Sequence, residues 1–128
     1  MRSDPLHDTR WLLARAAVAA VWLYNGMWCK LLAGCPSHAA IFSTVPAVFA
    51  PVLALLPAAL GGAEVALAVW VASGWRRRLA AVIQTALLVS MNAGGLVWGG
   101  DAIQEPGGLV VQNAAFLALV WLVALEPR

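Results

Sequence analysis

The stretch VLALLPAALGGAEVALAVWVAS, residues Val52 to Ser73, is apolar throughout except for its terminal serine and one carboxylate, Glu64, near its middle. At ~1.5 Å per helical residue, a run of this length reaches across the ~30 Å hydrocarbon core of a bilayer. An ionised side chain at that depth costs about 2.5–3.5 kcal/mol on insertion scales, so it must face protein and find partners. Glu64 is too costly to serve as casual glue between helices, and it marks a functional candidate.

Three similar stretches flank it. The spans are expected at about residues 11–33, 52–73, 79–98 and 109–125, making residues 1–128 a single all-α transmembrane domain, a four-helix bundle. Composition agrees: 62% of residues are hydrophobic and 11% charged, with mean hydropathy +0.82. A soluble domain runs nearer ~25% charged. The net charge of +2 is small, and the basic residues are scattered apart from Arg76, Arg77 and Arg78, which argues against a nucleic-acid partner. Arg2 and Arg10 before an Ala-rich run resemble a signal peptide, but Asp4, Asp8 and Arg15 point to an uncleaved first span.

The turn Gly74-Trp75-Arg76-Arg77-Arg78 carries the densest positive charge, which the positive-inside rule places in the cytoplasm. Both termini then also lie inside, in agreement with Arg2, Arg10, Arg15 and Arg128. The loop from Gly34 to Pro51 falls outside, as does that from Gly99 to Gly108 with Asp101 and Glu105. In the first outer loop, Ile41, Phe42, Val45, Val48 and Phe49 imply a short interfacial or re-entrant segment, interrupted by Pro46 and Pro51.

Every span contributes polar groups. Trp22, Asn25, Gly26, Cys29 and Lys30 recur at spacings of three and four, which predicts one stripe of span one. Span two presents Pro57, Gly61, Glu64 and Ala68; span three Gln84, Leu88, Asn92 and Gly95; span four Gln112, Asn113 and Phe116. Asn25, Asn92 and Asn113 lie within ~14 Å of the outer ends of their spans, and Glu64 about 18 Å below. These depths predict a polar shaft open to the outside and floored by Glu64. Membrane amides also hydrogen-bond between helices simply as packing, with an average effect of only about 0.6 kcal/mol, and a lysine near a helix end ordinarily snorkels to the interface.

Cys29 and Cys35 are the only cysteines, both at the outer side, where a disulfide is permitted. With no CxxC motif, and with Cys29 inside the helix, two free or buried thiols are favoured. His7 and His38 have no second ligand at zinc-like spacing, so no metal site is expected. Trp11, Trp28, Trp75, Trp98 and Trp121 fall at span ends as interfacial belts, whereas Trp22 lies within a span as core packing or as a wall for a flat ligand.

The run Val21-Trp22-Leu23-Tyr24-Asn25-Gly26-Met27-Trp28-Cys29-Lys30-Leu31 resembles the first-span motif of DoxX-like membrane proteins. Gly61-Gly62-Ala63-Glu64, the Gly-Trp-Arg-Arg-Arg turn, and Pro106 to Asn113 before the last span are similar to that family in order and spacing. The resemblance implies a four-helix bundle in a bacterial inner membrane, and relatives linked to quinone-dependent respiratory oxidoreductase complexes. Gln112 stands where many relatives would have a lysine. Lys30 is then the one intramembrane candidate cation for Glu64.

The leading expectation is a module that binds a quinone-like or other lipophilic ligand in an outward-facing polar pocket, alone, as a homo-oligomer, or as a subunit of a membrane redox complex. Glu64 is the candidate catalytic, proton-accepting group; Trp22, Asn25, Lys30, Asn92, Gln112 and Asn113 form the candidate ligand-binding set. The sequence carries no haem-ligand pair, flavin motif or cluster spacing, so an electron carrier would be a bound cofactor such as a quinone, or a partner's. The rivals are a proton-coupled small-molecule transporter using Glu64, and an assembly protein in which Glu64 and Lys30 fix helix register.

Overall fold

The computed structural model describes residues 5–127; Arg2, Asp4 and Arg128, counted above towards orientation and against cleavage, lie outside the described residues. Six α-helices form in chain order: α1 (Pro5–Leu23), α2 (Pro36–Ser43), α3 (Ala50–Leu53), α4 (Leu56–Ser73), α5 (Arg77–Gly99) and α6 (Pro106–Ala124). A π-helical segment, Tyr24–Leu31, continues α1, and 3₁₀ turns occupy Ala47–Phe49 and Gly100–Ala102. Among the described residues, four helices are long and apolar enough to cross a membrane: Pro5–Leu31, Leu56–Ser73, Arg77–Ala102 and Pro106–Ala124.

Local chemistry sets the ends. Pro36, Pro51, Pro57 and Pro106 all occupy a first helical turn, where the missing N–H costs nothing and φ is already helical. This is why the second span begins at Leu56 rather than at Val52, with the short α3 preceding it. The C-terminus of α4 closes on Gly74 at φ 71°, a left-handed cap that suits glycine. The Trp70 indole then donates to the Trp75 carbonyl at 2.7 Å, and the Arg76 guanidinium lies 5.0 Å from the Trp75 ring centre.

The four long helices form a closed ring in which α1 packs on α4 and α6, and α5 on α4 and α6. Val18, Trp22, Leu67, Ala68, Val71, Ala81, Leu88, Val120, Val123 and Ala124 make the core. At one end Glu126 joins three elements, accepting from Arg77 at 3.0 Å and lying 3.7 Å from Arg15. At the other end α2 rests against the π-helical segment, α5 and the 3₁₀ turn after it, with Ile41 pressed on Gly99. The loop between spans one and two is therefore a helical cap over that end of the bundle.

Candidate functional site

The seam between the first span and α4 is unusually close. A Cβ placed on Gly26 would stand 2.7 Å from the Gly61 carbonyl oxygen and 2.8 Å from Glu64 Cβ, and one on Gly61 would stand 3.0 Å from the Gly26 carbonyl oxygen. Position 26 has no room for a side chain at this approach, and a Cβ at position 61 would press on the Gly26 carbonyl and Leu31. Beyond this contact the chain winds as a π-helix: the Leu32 amide donates to the Met27 carbonyl, five residues back, at 2.9 Å.

Wider winding changes which residues share a face. Spacings of four stay nearly aligned, so Trp22, Gly26 and Lys30 point inward and are buried, and Cys29 beside Lys30 is buried with them. Asn25 turns away, half-buried, and donates to the Val21 carbonyl of its own helix at 2.8 Å. The expected stripe thus keeps Lys30 and loses Asn25.

Lys30 Nζ donates to both carboxylate oxygens of Glu64, each at 3.0 Å. The Lys30 side chain is 2% exposed and that of Glu64 0%. Instead of flooring an open shaft, Glu64 is sealed with a counter-charge across the glycine seam. The ammonium does not snorkel; the π-helical turn aims it inward. Such a pair lets a mid-membrane carboxylate persist, and removal of either partner leaves an uncompensated charge.

The remaining predicted residues lie elsewhere. Trp22, 2% exposed, donates from its indole nitrogen to Gln84 Oε1 at 2.7 Å and meets the Phe116 ring edge-on at 5.7 Å, which ties α1 to α5 and α6. Asn113 donates to Asn92 Oδ1 at 2.7 Å across the α5–α6 seam, and Gln112 beside it is exposed. The structure therefore splits the expected constellation into a charged seam, a Trp–Gln bridge and a separate amide pair. Gln84 carries the bridge although it stood outside the candidate set; its place one-third of the way along α5 was the available signal. Trp22→Phe would leave the buried Gln84 carbonyl unpaired, and should cost about 1–3 kcal/mol in reversible unfolding. A further Gln84→Leu change should recover most of it.

The expectation of free thiols is corrected. Cys29 and Cys35 form a disulfide with Cα atoms 4.5 Å apart. The helix stops at Leu31 and turns back through Ala33, at φ 52°, which brings the two residues together. The Trp28 indole lies over Gly34 inside this turn.

His38, set aside in the sequence as isolated, lies half-buried on α2, within electrostatic reach of Lys30. Loss of hydration, and then the Lys30 charge, hold its imidazole below the ordinary 6.5. The unfolded chain consequently binds the proton more readily than the folded one, and stability declines as pH falls through about 6.5. The thermal midpoint should drop between about pH 7 and pH 5, and His38→Gln should flatten that slope.

Four apolar spans clamped by a buried charge pair define a multi-pass integral membrane protein. The DoxX-like family profile matches residues 19–121, most of the chain, and the protein belongs to that family. No curated protein and no solved structure matches it.

Proposed function

We propose that this chain is a non-catalytic assembly module of a bacterial inner membrane, a four-span scaffold on which a membrane redox partner or a second copy is mounted. The observation that carries this reading is the sealed Lys30–Glu64 pair: both charges are satisfied within the protein and neither is presented to a ligand. The pair acts on register, fixing how the first span and α4 meet at Gly26 and Gly61. Much of each span is turned outward, with Leu12, Leu13, Val69, Val89, Val97, Val111 and Leu122 exposed to lipid or to a partner's helices. Orientation follows the arginine turn, with both termini cytoplasmic. A disulfide at the opposite end agrees, because such bonds persist on the oxidising side.

A second reading rests on the amide pair. Asn92 and Asn113 satisfy each other once, leaving an amide donor on Asn92 and a carbonyl on Asn113, both half-buried, with Gln112 exposed alongside. A quinone-like head group could take up those valences from the bilayer. A transporter based on Glu64 would require access to a carboxylate that is closed here.

Native mass spectrometry of the gently purified protein separates the readings. The scaffold reading predicts a partner subunit or a second copy and no retained small molecule. A lipophilic species lost on Asn113→Ala would favour the second reading and overturn the first.

A further inference from the structure

We propose that Cys29–Cys35 is an exchange-competent disulfide that oxidises a dithiol in the aqueous phase at its end of the bundle. This inference stands apart from the scaffold and ligand readings, since it uses neither the amide pair nor a mounted partner.

Access is asymmetric. Cys35 is half-buried at the head of α2, beside exposed Pro36 and Ser37, while Cys29 is 4% exposed within the π-helical segment. An incoming thiolate therefore reaches Cys35 Sγ and not Cys29 Sγ. The Tyr24 hydroxyl stands 4.0 Å from Cys35 Sγ, placed to donate to a thiolate formed there. Other contacts also hold this end of the bundle. Lys30 is fixed on Glu64, Gly26 on Gly61 and α2 on α5 by contacts that do not pass through sulfur. The disulfide closes only a short loop, which constrains the unfolded chain less than a long one would.

The exchange balances without a further reagent. One thiolate of the dithiol attacks Cys35 Sγ, the Cys29–Cys35 bond breaks, and Cys29 Sγ leaves with the electron pair and takes a proton. The second thiolate attacks the substrate sulfur of the mixed disulfide and expels Cys35 Sγ, which the Tyr24 hydroxyl stabilises until water protonates it. The dithiol has lost two electrons and two protons, and the two cysteines hold them as thiols. A second, more oxidising disulfide restores the bond by the reverse steps.

The test uses the full chain in lipid nanodiscs, with dithiothreitol as dithiol and glutathione disulfide as oxidant. Alkylation gel shifts report the cysteines, and the thermal midpoint is followed in parallel. The pair should open and re-close within minutes in the folded protein, with the midpoint little changed. Tyr24→Phe should leave the first opening step unchanged and slow release of the mixed disulfide at Cys35 about tenfold, read as a larger trapped adduct. Cys29→Ser should form a mixed disulfide with glutathione at Cys35 at least about tenfold faster than Cys35→Ser does at Cys29. A bond that opens only when the wild-type protein melts would overturn the proposal, as would equal capture by the two serine variants.

Discussion

Lys30→Met should destabilise the folded bundle by about 3–5 kcal/mol, the largest loss expected from any single side chain here. The cause is specific: Glu64 is completely buried, and Lys30 Nζ serves both of its oxygens at 3.0 Å. Without the ammonium, a fully buried carboxylate remains beside the Gly26–Gly61 seam with no counter-charge. Glu64→Leu should cost less, because Lys30 lies one residue from the end of its helix and its long stem can carry a freed ammonium towards the interface. Reversible unfolding in mixed micelles measures both. Equal losses for the two variants would show that Lys30 is as confined as Glu64.

The second large effect is steric. Gly26→Val should cost about 3 kcal/mol, the upper end for overpacking, since the new Cβ meets backbone atoms that cannot rotate away. Its failure should extend to the ion pair, because separating Gly26 from Gly61 also draws Lys30 from Glu64. Gly62→Ala is the control: nothing lies within 4 Å of its added Cβ, so it should be neutral or slightly stabilising through helix propensity. Matched losses at positions 26 and 62 would point to glycine flexibility rather than to close approach.

The sequence made the spans legible because apolar length is a property of a segment alone. It also made the Lys30–Glu64 partnership legible, since a membrane carboxylate needs a cation and Lys30 was the candidate in the outer half of the first span, away from Arg15 at its other end. Depth along a helix could be counted, but direction around it could not. Asn92 and Asn113 occur at suitable heights, yet they face each other on the α5–α6 seam while the ion pair lies between the first span and α4.

The π-helical winding is the deeper reason for the mismatch. It coincides with the Gly26–Gly61 approach and ends where the chain turns, and it leaves no periodic signal in Tyr24–Leu31. An α-helical reading put Asn25 on the stripe and carried the helix on to Ala33, which made a Cys29–Cys35 bond look unfavourable. Once the helix ends at Leu31 and Ala33 takes its left-handed turn, the bond follows.

The central claim is that Lys30 and Glu64 form one structural clamp, and a double-mutant cycle tests it most directly. Lys30→Met, Glu64→Leu and the double variant would be unfolded reversibly under one condition. The clamp predicts that the double variant recovers most of the stability lost by Lys30→Met, because two apolar side chains replace two charges that are hydrogen-bonded to each other. A double variant whose loss equals the sum of the two single losses would contradict it.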